Sequence, residues 1–443
     1  LLQSYVMKKT LLLLLLHLFL VTTALAQLVA GPMLGHTDMR EARIWLQTEK
    51  AASVTLEYKK QGNTNLWQKT ETLKSRPSEA HCLTFTIALL EPGTTYEYRV
   101  LADGKAVARP YPLLFSTQPL WQWRNDPPAF KVAMGSCNFI NETVYDRPGK
   151  PYGGDYFIFE RMAEAKPDMM LWLGDNTYLR EADWSSRAGV LHRYSHSRAI
   201  PEMQQMLAVC PNYAIWDDHD YGPNDANKSW VHKNYSLEAF KLFWANPTVG
   251  TPEVPGITTA FRFRDVDFFL LDDRWSRSSE SLHDSCEREM LGEAQIEWLI
   301  NALKFSDAPY KIVANGSQVL NSMAVYENYA VFACEREKLL RRIAAEGIKN
   351  VVFVTGDRHH SEISRLTVEG IVFHDVTASP LTSSFARSRD NEPNANRIEG
   401  SLVLQRNFAL FEFSGPRKER ELLIRFVDNT GKEVYQYKLT RQH

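Results

Sequence analysis

Positive charge is nowhere gathered into a stripe. Lysines and arginines number 51 against 53 acids, a formal net charge of -2, so no basic field recruits nucleic acid and the expected partner is a small molecule. Cysteine is scarce and odd in number: Cys82, Cys137, Cys210, Cys286 and Cys334 cannot all pair within the chain. A Cys286–Cys334 bridge is one option that sequence does not decide; Cys137, set among polar neighbours after a strand, is expected to stay unpaired. Repeats and low-complexity tracts are absent, and a content of 44% hydrophobic and 12% aromatic residues excludes a disordered chain. Long apolar runs are missing with one exception. Leu11 to Val21, between Met7-Lys8-Lys9 and Ala24-Leu25-Ala26, reads as the centre of a secretory signal peptide over 7–26, too short for the ~20 residues of a spanning helix. No twin arginine precedes it and no cysteine follows the cleavage pattern. The expectation is general export, a mature chain from about Gln27 without a transmembrane helix, and a periplasmic or extracellular location.

What the chain does contain changes rhythm once. Over 27–118 short alternating segments (Ala42 to Thr48, Ser53 to Lys59, Cys82 to Leu89, Thr95 to Leu101, Leu113 to Thr117) are separated by polar turns such as Glu91-Pro92-Gly93, which predicts a small β-sandwich. Leu90 to Val100 resembles the fibronectin type III corner, where a tyrosine ties down the turn before its strand. Trp121, Trp123 and Pro127-Pro128 mark a linker. Over 129–443 strands alternate with helices. Ala129 to Met134, a helix over Asp155 to Ala165 and Met169 to Leu173 form a βαβ unit. Further helices are predicted at Ser236 to Ala245, Gly292 to Lys304 and Glu335 to Glu346. Strands follow at Ala214 to Trp216, Val266 to Leu271, Lys311 to Asn315, Val351 to Val354 and Gly370 to Val376, and antiparallel strands beyond Leu402 complete a sheet. This is an α/β domain with its site on the strand-end loops.

Four of those ends carry metal-binding side chains. Val351 to Thr355 runs into Gly356-Asp357-Arg358-His359-His360, Phe130 to Met134 into Gly135-Ser136-Cys137-Asn138, Met169 to Leu173 into Gly174-Asp175-Asn176-Thr177-Tyr178, and Ala214 to Trp216 into Asp217-Asp218-His219-Asp220. A carboxylate can bridge two cations, and a phenolate suits a strongly Lewis-acidic ion. Three adjacent acids around His219 repel one another unless a cation compensates them. Asp357 and His359 can face one side with Arg358 on the other, leaving His360 as an alternative ligand or a supporting group. Tyr145, Trp184, Tyr194, Trp230 and Trp275 are candidates for a cleft rim, although aromatics in so rich a chain are mostly core.

In order, Gly135-Ser136-Cys137, Gly174-Asp175-x-x-Tyr178, Trp216-Asp217-Asp218-His219-Asp220, Leu271-Asp272-Asp273-Arg274, Gly316-Ser317-Gln318 and Gly356-Asp357-x-His359 resemble the PhoD-type alkaline phosphatases of the calcineurin-like metallophosphoesterase superfamily. The resemblance implies a four-layer α/β/β/α sandwich preceded by the fibronectin III-like domain. It also implies a dinuclear centre with Fe3+ and Ca2+. Cys137, Asp175, Tyr178, Asp357 and His359 are the implied iron-site residues with Asp175 bridging, Asp218 takes the place of an asparagine ligand, and His219 matches the catalytic histidine. Where the family commonly has an arginine after the Gly-Asp acid this chain has Asn176, so Arg274, Arg277 or Arg358 is expected to contact phosphate instead. Asp220 stands where the family usually has Glu. The implied activity is metal-assisted hydrolysis of phosphate monoesters or diesters by a monomer, with His219 protonating the leaving oxygen. The rivals are a phosphodiesterase or phospholipase-D-like hydrolase on the same centre and a non-catalytic secreted binding protein.

Overall fold

The computed structural model describes residues 28–64, 67–385 and 392–442, so the segment over 7–26 lies outside the described residues. Its first part holds nine strands: β1 (Leu28–Thr37), β2 (Glu41–Thr48), β3 (Ser53–Lys60), β4 (Gln68–Lys69), β5 (Leu73–Lys74), β6 (Cys82–Ala88), β7 (Thr95–Ala102), β8 (Lys105–Ala106) and β9 (Leu114–Ser116). One sheet runs β1-β2-β6; the other runs β4-β3-β7-β8, with β5 on β3 and β9 on β7. Alternation buries Ile44, Leu46, Val54, Leu56, Phe85, Ile87, Tyr98 and Val100 between them. The Tyr96 hydroxyl accepts the Glu91 N–H at 2.9 Å, which is the corner tie expected from sequence. β1 was not predicted, because Gly31, Pro32 and Gly35 break its alternation.

The second part contains two six-stranded sheets. The first runs in the order β12 (Asn212–Ile215), β11 (Met169–Leu173), β10 (Phe130–Gly135), β19 (Asn407–Ser414), β20 (Glu421–Asp428) and β21 (Glu433–Leu439). The second runs β13 (Thr259–Phe263), β14 (Val266–Leu270), β15 (Lys311–Ala314), β16 (Val351–Thr355), β18 (Ile371–Thr377) and β17 (Glu362–Val368). β10, β11 and β12 are parallel, as are β14, β15, β16 and β18, so their carboxyl ends gather on one side. The C-terminal antiparallel strands extend the first sheet through β10–β19 pairing, as the sequence suggested.

Helices α1 (Ile158–Glu164), α2 (Arg187–Arg198), α3 (Pro201–Val209), the single turn α4 (Asp218–Tyr221) and α5 (Lys233–Phe243) accompany the first sheet; α6 (Glu293–Phe305) and α7 (Ala333–Ala345) cover the second. One core packs Phe130, Val132, Phe411 and Phe413 against Phe263, Phe268 and Ile312 between the sheets and continues under α1 and α3. A second core sits between the other sheet face and α6 and α7, around Leu299, Leu303, Leu339, Ile343 and Phe353. The result is an α/β/β/α arrangement of four layers. Each fully buried Val, Leu or Phe contributes about 1.5–3 kcal/mol to it.

Helix α2 escaped the periodicity reading because Arg193 and Arg198 take inward positions: Arg193 donates to Asp183 at 2.7 Å, and Arg198 lies over the Trp244 ring at 3.9 Å. Cys286 and Cys334 form the disulfide, leaving Cys82, Cys137 and Cys210 free and buried. No helix among the described residues is long and apolar enough to cross a membrane.

Candidate metal centre

The parallel strands deliver their terminal loops to one floor, where the loops are stitched together. Asn138 N–H donates to the Asp175 carbonyl at 2.8 Å, Gly356 N–H to Gly316 O at 2.8 Å, and Ser136 N–H to Ala378 O at 3.1 Å. Space decides two of the glycines. Gly174, at φ +87°, has the Asp217 Cβ only 2.7 Å from where a side chain would begin, and a Cβ on Gly356 would meet the Ser136 side chain at 2.6 Å. The turns also force side-chain-bearing residues into left-handed backbone: Cys137 (φ 57°), Asp175 (φ 50°), Asp357 (φ 64°) and His359 (φ 56°) all occupy it. Strain of this kind, about 1–3 kcal/mol per residue, concentrates where a fold must aim particular groups.

Cys137, Asp175 and His359 bring one ligand atom each within 4.8 Å of one another. Tyr178 joins them: its hydroxyl donates to Asp175 Oδ2 at 3.0 Å and lies 3.2 Å from His359 Nε2. Asp175, Asp218 and His219 form a second group by the same measure, so Asp175 is shared. A third consists of Asp218, Asp225 and Glu327. Around these stand Ser379, whose hydroxyl is 3.1 Å from Cys137 Sγ and accepts the His359 N–H at 2.9 Å, and Tyr152, whose hydroxyl is 3.2 Å from His359 Nδ1. Asp357 falls outside the three groups; it is half-buried, and its charge bears on Cys137.

Burial dominates the electrostatics. It raises Asp175 well above the usual carboxylate range, reinforced by Asp218 and Cys137. It pushes the Cys137 thiol up to about 12, with Asp357 adding to the effect, and raises Tyr178 with help from Asp175. Burial lowers His219 against the pull of Asp218. Among the acids of the first two groups Asp218 goes down, to about 2, because His219 and Arg274 outweigh its own burial. The buried Oδ2 of Asp217 and the Oδ1 atoms of Asp218, Asp220 and Asp273 accept no hydrogen bond. A buried cluster of acids with orphaned oxygens, beside a thiol, a phenol and an imidazole, is a donor set that fits cations.

The acids of the Asp-Asp-His-Asp motif divide their labour. Asp217 and Asp220 make a capping box at the start of α4, and only Asp218 enters the ligand groups. His360 turns away, its Nε2 3.6 Å from Glu362, so His359 is the imidazole at the floor. The arginines expected at phosphate are elsewhere. Arg274 is fully buried between Asp217 and Glu327, Arg277 pairs with Glu280, and Arg358 is held by Gln318, Asn328 and Glu392. Their guanidinium groups are spent on buried acids and loop amides, which the alternating sequence pattern could not reveal. Asn176 is likewise structural, donating to the Ile215 carbonyl at 2.7 Å. The arginine that does line the cavity over Tyr178 and His219 is Arg180, with Arg147 beside it. Of the five rim aromatics, Tyr145 and Trp184 line that cavity, whereas Tyr194 is buried and Trp230 and Trp275 lie outside its wall. Asp225, Glu327, Tyr152 and Ser379 were not foreseen, since they stand in loops without a motif.

A family model described as PhoD-like phosphatase matches residues 133–415. The chain belongs to the PhoD-like phosphatase family. A second model, a domain of unknown function (DUF7800), matches residues 25–119. Alkaline phosphatase D of Bacillus subtilis (strain 168) is 24% identical over 352 residues, covering 67% of this chain and 56% of that protein, so this PhoD-like chain spans little more than half of the relative's length. Among solved structures, one of PhoD superposes with a TM-score of 0.72 at 19% identity, covering 93% of this chain and 92% of the other. A purple acid phosphatase from yellow lupin (Lupinus luteus) seeds superposes at 0.67 with 12% identity, covering 93% and 74%. Both likenesses are of fold, and they agree with the layered architecture expected for the family.

Proposed function

We propose that this PhoD-like chain is a metal-dependent phosphatase that hydrolyses phosphate monoesters and diesters at a dinuclear centre. The observation that carries the proposal is the double membership of Asp175, one carboxylate common to two adjacent ligand groups. The first group, with Cys137, Tyr178 and His359, has the thiolate, phenolate and imidazole that suit Fe3+, with Asp357 adding charge nearby. The second joins Asp175 to Asp218 and the His219 imidazole; its two carboxylates offer oxygen ligands that suit Ca2+, with the His219 ring beside them. Metal ions so held supply Lewis acidity towards a phosphoryl oxygen and an activated water near neutral pH.

The chain's own residues do the rest. Half-buried His219 lies at the cavity floor with its backbone N–H donating to Asp175 Oδ1 at 3.3 Å, which fixes its approach to a leaving oxygen. Burial favours its neutral form, so at alkaline pH its contribution is a hydrogen bond from the ring N–H. Arg180 lines the cavity where Arg274 and Arg358 do not, and its part is to hold the loop that carries Tyr178. Its guanidinium donates to Asp146 at 2.7 Å, to the Ile140 carbonyl at 2.8 Å and to the Tyr178 carbonyl, and it packs on Phe139 at 3.9 Å, so it fixes the position of Tyr178 at the floor.

The test is elemental analysis and a visible spectrum of the purified protein, followed by turnover of p-nitrophenyl phosphate and its bis-ester. Stoichiometric metal, a ferric phenolate band and hydrolysis of either ester are expected. A protein that takes up no metal and hydrolyses neither ester would overturn the reading and favour a binding protein. Export through the segment at 7–26 and a monomeric state belong to the same proposal; cell fractionation and light scattering check them.

A further inference from the structure

Directly over Tyr178 and His219 opens a cavity of about 590 Å³ whose walls the hydrolytic chemistry does not require. That volume suits an organic group far larger than a phosphate. Phe139 and Tyr152 meet edge to face at 4.9 Å, and Phe139 in turn packs on Tyr178 at 5.0 Å, so an aromatic wall climbs from the floor. Tyr145 and half-buried Trp184 line the same space, and Tyr145 and Tyr152 are 44% and 42% exposed. Phe139 is already covered on one side by Arg180, and Trp184 packs in part on the core, so the ring surface left for a ligand is that of Tyr145, Tyr152 and the outer part of Trp184. The rim also holds charge: Arg147, exposed and paired only loosely with Glu181 at 3.7 Å, lines the cavity. A lining that mixes rings with charged groups is wrong for an acyl chain. It fits a flat heteroaromatic ring with a polar edge.

We propose that the alcohol part of the substrate is a nucleoside, whose base stacks on this wall while its phosphate lies at the floor. The inference rests on the phosphatase reading but goes beyond it by naming the leaving group. Adenosine 5'-monophosphate and ribose 5-phosphate present the same primary alkyl phosphate and differ by the base, so their ratio isolates the wall. Base stacking on aromatic side chains corresponds to about ten-fold or more in kcat/KM, and the nucleotide should be favoured by that factor. Trp184→Ala should bring the ratio close to one and Trp184→Phe should keep most of it. Tyr145→Ala, at an exposed position, should lower it independently of any folding defect in the tryptophan variant. Equilibrium binding of the two compounds to the metal-loaded protein reads the same preference without turnover. Hydrolysis of both at equal kcat/KM, or a preference untouched by Trp184→Ala and Tyr145→Ala, overturns the nucleoside assignment and leaves the phosphatase standing. Ten-fold tighter binding of the nucleotide with hydrolysis of neither supports the cleft and sinks the phosphatase.

Discussion

The N-terminal sandwich and the strand-end floor are both interiors made by β-strands, but they are filled in opposite ways. Between the sandwich sheets the buried residues are Leu, Ile, Val, Ala, Phe and Tyr. At the floor Asp175, Asp217, Asp218, Asp220 and Asp273 are each 2% exposed or less, with Arg274 the guanidinium buried among them. Apolar burial is favourable residue by residue; charge burial is tolerable only when partners replace water. The sandwich is therefore complete as a polypeptide, while the floor is built around charges its own side chains do not balance.

Four experiments separate the two regions, beginning with the largest effect. Asp175→Asn should nearly abolish ester turnover and lower the bound metal, measured by steady-state kinetics and elemental analysis, because the two ligand groups lose the charge and the second oxygen of the carboxylate they share. Wild-type metal content and rate would erase the distinction drawn here. Arg274→Met leaves the buried Asp217 without its cation and Glu327 with Arg277 alone, and should cost about 3–5 kcal/mol in denaturant unfolding. Leu56→Ala, in the apolar interior, should cost about 2–5 kcal/mol by the same measurement and leave the rate per folded molecule unchanged. A lost rate would mean that the sandwich takes part in the site.

The smallest effect tests the rule on a single group. Burial holds His374 at about 4, with Arg365 adding to it, and its Nε2 lies 3.3 Å from the Tyr437 hydroxyl. The unfolded chain binds this proton near 6.5 and the folded chain only near 4, so stability is fully present above the unfolded value and falls as pH drops through this window. Between pH 7 and 5 about 2 kcal/mol should disappear, and His374→Gln should remove that part of the pH dependence of unfolding.

How far the text could be read follows the same division. Strands β10, β11 and β16 were legible because continuous apolar runs ending in glycine have few other solutions. Their terminal residues Cys137, Asp175, Tyr178 and His359 were legible because motif and strand end coincide. Arg274 and Arg358 were misjudged because a guanidinium beside an acid reads the same whether it faces substrate or a buried carboxylate. Helix α2 was missed because its inward face carries Arg193 and Arg198, whose burial depends on Asp183 and Trp244, partners far along the chain or on another element.

By itself the sequence determined the change from sandwich to layered α/β body, the apolar strands, and the residue types available for metal at each strand end. Those are local properties, set by periodicity, glycine and the chemistry of neighbouring side chains. Only the tertiary structure decided that Asp175 is shared, that His359 and not His360 reaches the floor, and that Arg180 and Arg147 line the cavity while Arg274 and Arg358 do not. These depend on distances between loops many residues apart, and parallel strand packing fixes such distances only once the chain has folded.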